Sequence, residues 1–154
     1  MIKLVQLDPN GLCNAGCWFC PVAYEENPAI GRKTMPIETI KSIIEQIKSG
    51  INDFVNPDFN FIYTAHYNEV LLYKYFKEML EIFREYKLGT MVLTNGIALT
   101  KDKTDLLNEF KDVVWGLHFN VPSANAEAWA KMTNKNVKMH ERVMANIRYA
   151  VDTL

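Results

Sequence analysis

The chain has 154 residues, of which 49% are hydrophobic and 23% are charged, and its 17 basic and 18 acidic residues leave a net charge of −1. This composition is typical of a globular protein with a single core, and it excludes the strong positive field by which many proteins bind nucleic acids or membrane surfaces. No apolar run of about 18 residues is present, and the first residues lack the form of a signal peptide, so we expect neither a transmembrane helix nor export.

Strand-like and helix-like patterns alternate along the chain. Isoleucines recur at helical spacing between Pro36, which suits the first turn of a helix, and Gly50, which ends it. The other predicted helices cover about residues 70–87, 102–110, 124–132 and 139–153, and the predicted strands cover residues 2–7, 59–64, 90–94 and 112–120. Four β–α units in a row imply a parallel sheet. We therefore predict an α/β fold, a partial TIM-type (β/α) barrel whose roughly four units form an open half-barrel.

Residues capable of binding a ligand lie at or after the end of each predicted strand. The first strand is followed by a long loop over residues 8–34, the second by Tyr67-Asn68-Glu69, the third by Thr94-Asn95-Gly96, and the fourth ends with His118 and Asn120. Because ligands of parallel α/β folds gather at the carboxyl ends of the strands, these segments are expected to form one site.

All three cysteines lie in the first of these loops, as Cys13, Cys17 and Cys20, with the spacing C-x3-C-x2-C. An odd number of cysteines argues against a disulfide framework, and a chain without an export signal is expected in the reducing cytoplasm, where thiols stay free. Three thiolates on one tight loop can ligate three irons of a four-iron cluster, which leaves one iron open for a substrate or cofactor.

A zinc site is the alternative interpretation of the same cysteines. Three cysteines and one histidine could hold a zinc ion, with His66, His118 or His140 as the fourth ligand. Structural zinc sites usually use paired C-x2-C units, and only one such pair is present here. The spacing therefore favours an iron–sulfur cluster over zinc.

The cysteine segment resembles the signature of the radical S-adenosylmethionine (radical SAM) superfamily, C-x3-C-x-aromatic-C. Phe19 stands at the aromatic position, and Asn14 follows the first cysteine, as in many members. Residues 69–72 (E-V-L-L) are similar to the end of the family's G-G-E-P-L-L segment, and residues 93–96 (L-T-N-G) to its T-N-G turn. Residues 114–122 resemble its fourth strand. The chain departs from the family at Tyr67 and Asn68, which replace two glycines.

The resemblance implies an enzyme that binds a [4Fe-4S] cluster and SAM, with residues 1–154 as the N-terminal part of a radical SAM core domain. In this family SAM is reductively cleaved to a 5′-deoxyadenosyl radical, which abstracts hydrogen from the substrate. The implied roles are iron ligation by Cys13, Cys17 and Cys20, an adenine-side contact by Phe19, methionine-end contacts by Asn68 and Glu69, and ribose or carboxylate contacts by His118 and Asn120. An electron donor such as a flavodoxin or ferredoxin is also implied. The form of the loop suggests a peptide as the unknown substrate.

Structural roles compete with several of these assignments. Glu69 opens a predicted helix and could serve the helix dipole, His118 could be a hydrogen-bonded strand residue, and Asn95-Gly96 is expected to act as an ordinary turn pair. Two other functions also stay open. The chain could be a non-catalytic iron–sulfur or zinc module, or a half-barrel that acts only as a dimer or with a second-half partner.

Overall fold

The computed structural model describes residues 1–21, 34–64 and 67–154. Four parallel strands form one open sheet in the order β1-β2-β3-β4. Their bounds are β1 Val5–Gln6, β2 Phe61–Tyr63, β3 Gly89–Thr94 and β4 Val114–Phe119. The predicted α/β fold, a half-barrel of parallel strands, is therefore confirmed.

Five α-helices and one 3-10 helix occupy the connections within the described ranges. The α-helices are α1 Ile37–Ser49, α2 Phe76–Glu85, α3 Lys101–Glu109, α4 Ala126–Thr133 and α5 Val137–Thr153, and the 3-10 helix is Val70–Leu72. Side chains of Thr100, Asn125 and Asn136 cap the first turns of α3, α4 and α5. No helix in these parts of the chain is long and apolar enough to cross a membrane.

The core lies between the sheet and the first three α-helices. Ile62 of β2 and Val92 of β3 are fully buried, and they share one apolar cluster with Ile44 of α1, Phe83 of α2 and Leu107 of α3. Alternate residues of the strands, such as Phe61 and Met91, are only partly buried. This alternation follows from the two-residue period of a strand, and it gives the sheet one well-covered face and one more open face.

The register between β3 and β4 is interrupted once. Thr90 pairs with Val114 and Met91 pairs with Gly116, so that Trp115 is an extra residue in β4. The centroids of the Trp115 and Phe61 rings are 5.5 Å apart, and Trp115 is 54% exposed. An extra residue of this kind bends a strand and increases its twist, which suits a sheet that curves towards a barrel.

Two predicted elements differ from the structure. The first strand is shorter than residues 2–7, because Ile2 pairs with Val55 outside the sheet, and regular pairing with β2 begins only at Val5. The predicted helix over 70–87 is divided at Tyr73, whose backbone is extended. Tyr73 is buried, and its hydroxyl donates a hydrogen bond to the carbonyl of Met35 at 2.8 Å. This tertiary contact overrides the helical pattern.

The turn after β3 supplies a stability prediction. Gly96 has a φ of +79°, and a Cβ at this position would lie 2.9 Å from Cγ1 of Val143. We expect Gly96→Ala to lower the free energy of unfolding by at least about 1–2 kcal/mol, which is the cost of a left-handed backbone for a non-glycine residue. Gly116→Ala is the matched control, because its Cβ would meet only Met91 at an ordinary 3.6 Å. Urea unfolding measures both variants, and equal losses would contradict the assignment of strain to Gly96.

Candidate cluster and cofactor site

One cavity opens at the carboxyl ends of the four strands. Its lining residues are Cys13, Ala15, Cys17, Phe19, Cys20, Pro21, Tyr67, Asn68, Glu69, Leu93, Thr94, Asn95 and Asn120. The structure therefore brings together the three cysteines and four of the five predicted cofactor contacts, Phe19, Asn68, Glu69 and Asn120. The fifth, His118, pairs with Leu93 across the sheet, is exposed, and does not line the cavity as described.

The cysteine loop is held against the end of α4. The backbone N–H of Gly16 donates to the carbonyl of Thr133 at 2.9 Å, and that of Trp18 donates to the carbonyl of Met132 at 3.3 Å. A Cβ at Gly16 would lie 3.3 Å from the Cβ of Asn134, a tight contact, so the small residue permits this close approach. Carbonyls at the end of a helix need partners, and here they fix the position of the loop.

All three cysteines are free and partly buried. Burial is the main cause that raises the pKa of Cys13 and of Cys17 above the ordinary value of a thiol, and neighbouring negative groups add to it. The described residues contain no group of three or more His, Cys, Asp or Glu side chains arranged around a single metal ion. A cubane does not require such a group, because each thiolate ligates a different iron. The donor set, three thiols lining one cavity, fits the cluster better than a single zinc ion.

The histidines predicted as alternative zinc ligands do not complete a zinc site within the described residues. His140 is buried on α5 against Trp129, with 5.4 Å between the ring centroids, and it does not line the cavity. His118 is also absent from the lining, and His66 lies outside the described residues, as do positions 22–33 of the predicted cluster loop.

The raised thiol pKa values predict how the metal-free protein reacts. Since the thiolate is the reactive form, the rates at which iodoacetamide alkylates Cys13 and Cys17 should still increase at pH values where the rate for an unburied thiol has levelled off. Mass spectrometry of digested protein gives the rate at each site. A rate at either cysteine that levels off at or below the pH found for an unburied thiol would contradict the effect of burial. Free cysteine in a small peptide is the control.

Glu69 is almost completely buried at the edge of the cavity, with 1% of its surface exposed. Its carboxylate accepts hydrogen bonds from the backbone N–H of Asn95 at 2.9 Å and of Leu71 at 3.4 Å, and from the Thr94 side chain. Burial raises the pKa of this carboxyl, while the three hydrogen bonds act in the opposite direction. Glu69 therefore caps the 3-10 helix and also joins it to the turn after β3, and a carboxylate has capacity for one further donor.

Asn68 presents an acceptor without a partner among the described residues. Its Nδ2 donates to Asp8, whose carboxylate also accepts from the backbone N–H of Tyr67. Its Oδ1 is buried and makes no hydrogen bond within the described chain. A buried oxygen of this kind is costly unless a donor binds it.

Two asparagines that were not predicted as cofactor contacts organise this edge. Asn10, 3% exposed, accepts from the backbone N–H of Leu12 and donates to the carbonyl of Glu69, at 2.7 and 3.4 Å. Asn95, expected to be only a turn residue, contacts the cysteine loop through its side chain. The position of Asn95 directly after a strand was the available signal, but asparagine before glycine is too common in turns to indicate a site.

Two proteins of known structure, BtrN and SuiB, have folds similar to that of this chain. BtrN in complex with AdoMet and 2-DOIA matches with a TM-score of 0.65 and 24% identity over 82% of this chain and 48% of that chain. Streptococcus suis SuiB bound to S-adenosylmethionine matches with a TM-score of 0.71 and 17% identity over 98% of this chain and 32% of that chain. The chain therefore spans less than half the length of these two proteins. Another structure of SuiB, bound to precursor peptide SuiA, matches with the same TM-score and identity.

A search of curated proteins gives no match. The family model described as the radical SAM superfamily, in contrast, matches residues 9–153, which is nearly the whole chain. This match agrees with the resemblance of the cysteine motif and with the fold, and the chain belongs to the radical SAM superfamily.

Proposed function

We propose that this chain is the N-terminal part of a radical SAM core domain that binds a [4Fe-4S] cluster through Cys13, Cys17 and Cys20 and binds SAM beside it. The observation that carries this proposal is that three free cysteines share one cavity with polar residues at the ends of the strands. Membership of the superfamily supports it. Two of the proteins with a similar fold are described as bound to this ligand, as AdoMet in BtrN and as S-adenosylmethionine in SuiB.

The cavity residues are suited to the two ends of SAM. Asn68 Oδ1 and the remaining acceptor capacity of Glu69 favour the ammonium of the methionine moiety. Phe19, 38% exposed at the wall of the cavity, offers an apolar surface to the adenine. Asn120, just beyond β4, offers an amide to the ribose or the carboxylate. His118 is a candidate for the same contact from the neighbouring part of β4, although it does not line the cavity described here.

When bound, the cluster and SAM would supply reductive cleavage of SAM to methionine and a 5′-deoxyadenosyl radical that removes hydrogen from the substrate. The chain's own residues bind and orient these groups. Cys13 and Cys17 are partly buried, and the loop that carries them is fastened to α4 through Gly16 and Trp18. A fixed loop keeps the distance between cluster and cofactor constant, which electron transfer into one particular bond requires.

The partners follow from this chemistry. The cluster needs an electron donor, for which a flavodoxin or ferredoxin is the proposed class. The substrate is unknown, and the form of the cysteine loop favours a peptide. SuiB, which is described as bound to precursor peptide SuiA, has a similar fold. Free thiols and an oxygen-sensitive cluster suit a reducing cytoplasm, which is the proposed location.

A test of the proposal is the formation of 5′-deoxyadenosine. Protein reconstituted anaerobically with iron and sulfide is incubated with SAM and dithionite, and the nucleoside is measured by chromatography and mass spectrometry. We expect 5′-deoxyadenosine and methionine in equal amounts, with none from protein that lacks the cluster. A loaded cluster without any SAM cleavage would favour the alternative function.

That alternative is a non-catalytic iron–sulfur or zinc module that acts through a partner. Tyr67 favours it, because this bulky residue stands where the family has a glycine and its side chain lines the cavity. SAM affinity, measured by equilibrium dialysis, separates the two functions. Pairing with a second copy or a second-half partner is compatible with either function, since β4 is an edge strand and its Trp115 is 54% exposed. Sedimentation measures such pairing.

A further inference from the structure

The side chain of Asn95 lies between the two halves of the candidate site. Its Nδ2 is 3.6 Å from Sγ of Cys13 and 2.8 Å from Oδ1 of Asn14. Its backbone N–H donates to Oε2 of Glu69 at 2.9 Å. One residue of the turn after β3 therefore contacts both the cysteine loop and the carboxylate that faces the proposed SAM position.

The direction of this amide is fixed by the turn. Oδ1 of Asn95 accepts the backbone N–H of Ile97 at 2.9 Å, which is an Asx-turn. Reversing the amide would place its NH₂ group against that backbone N–H, so this favourable contact would become a repulsive one. The amide nitrogen, and not the oxygen, therefore faces the sulfur.

The NH₂ group is not needed to form the turn. The turn uses the Oδ1 atom, and Glu69 is held by the backbone N–H, which any residue at this position except proline would supply. The Cys13 Sγ receives a second N–H, from the backbone of Ala15 at 3.4 Å, so the sulfur lies in a small group of donors. Hydrogen bonds to the sulfurs of an iron–sulfur cluster are among the determinants of its reduction potential, because donors favour the more negative, reduced state.

We propose that Asn95 is a positioning residue that orients the Cys13 sulfur and raises the reduction potential of the cluster through an N–H···S hydrogen bond. The inference rests on the proposed function, because it requires a cluster ligated by Cys13. The redox step is a one-electron reduction of the bound cluster by an external donor, and no covalent bond forms or breaks in it. A higher potential makes this first electron easier to deliver.

The test is a redox titration of the reconstituted protein followed by EPR, with iron and sulfide content measured for every sample. Asn95→Ser shortens the side chain so that it no longer reaches the sulfur, but it keeps a hydroxyl that can accept the Ile97 N–H. Asn14→Ser is the matched control. It makes the same change of side chain next to Cys13 and removes the acceptor of Asn95 Nδ2 at Asn14. The Ile97 N–H still fixes the direction of the Asn95 amide, so we expect its NH₂ group to keep facing the sulfur.

We expect the equilibrium constant for reduction of the Asn95→Ser cluster to fall about threefold to tenfold, where tenfold corresponds to 59 mV for one electron. Asn14→Ser should change it by less. Asn95→Asp is a second variant in case the serine protein does not fold, because it keeps the shape and the acceptor of the turn. It loses the donor and adds a negative charge, so its potential should fall further than that of the serine variant.

Two results would overturn the inference, and they can be told apart from failure of the proposed function. An Asn95→Ser protein with full iron content and the wild-type potential would exclude the role of Asn95 while leaving the cluster and SAM proposal intact. An equal shift of the reduction potential in Asn14→Ser would show that any change of a side chain next to Cys13 alters the potential, and that the Asn95 N–H has no special role. A wild-type protein that takes up no cluster would remove both the proposed function and the inference.

Discussion

Replacing Cys17 by Ala is expected to abolish cluster assembly, so that iron content after anaerobic reconstitution falls to the background and the brown absorption is absent. The physical reason is that each thiolate would ligate a different iron of the proposed cluster, and no other cysteine is present in the sequence to replace it. Cys13→Ala and Cys20→Ala should behave in the same way. Iron and acid-labile sulfide assays measure the effect.

The control for this prediction is Trp18→Phe. Trp18 is 66% exposed in the same loop, and it contributes its backbone N–H, which the substitution retains, to the anchor on α4. This variant should assemble the cluster as the wild type does. A Cys17→Ala protein with wild-type iron content would mean that the cluster is held elsewhere, and the proposed site would be wrong.

Replacing Glu69 by Ala is expected to have two effects, a lower free energy of unfolding and loss of the response to SAM. The carboxylate is buried and accepts from Asn95, Leu71 and Thr94. Removing it leaves buried donors without partners. Each donor that no water molecule can reach lowers the free energy of unfolding by about 1–3 kcal/mol. We expect a total loss of about 2–5 kcal/mol, measured by urea unfolding of the metal-free protein.

Glu81→Ala provides the comparison for stability, because Glu81 is an exposed glutamate on α2 and should change the free energy of unfolding by less than about 0.5 kcal/mol. Glu69→Gln separates the two effects of Glu69. It preserves size and one acceptor, so it should retain more stability than the alanine variant, but it removes the charge that would favour the ammonium of SAM at the proposed position. A Glu69→Gln protein with wild-type SAM affinity would show that Glu69 is only a structural residue.

The fold could be predicted from the sequence because strand and helix patterns alternate with little ambiguity. The isoleucines of α1 lie on one face, and Pro36 and Gly50 mark its ends as expected. The division of the helix predicted over 70–87 could not be foreseen, since it depends on the hydroxyl of Tyr73 reaching Met35, far away in the sequence. Local propensity does not contain such contacts.

The candidate site could be predicted to the extent that it depends on strand order. The parallel sheet brings residues from three connections to one cavity. The cysteines follow β1, Asn68 and Glu69 follow β2, and Asn120 follows β4. His118 was predicted to lie with them because it shares a strand face with Asn120. It is two residues earlier in the chain, and it does not line the cavity. The part played by Asn95 depends on the direction of one amide group, which no spacing rule predicts.

The most direct measurement of the central claim is EPR of the anaerobically reconstituted, dithionite-reduced protein, recorded with and without SAM. We expect the signal of a reduced four-iron cluster that changes in shape when SAM is added, because SAM would bind the iron that lacks a cysteine. The Cys17→Ala protein should give no signal. A protein that takes up zinc in place of the cluster would show that the cysteines do not hold a four-iron cluster. A cluster whose spectrum does not change with SAM would show that SAM does not bind its open iron.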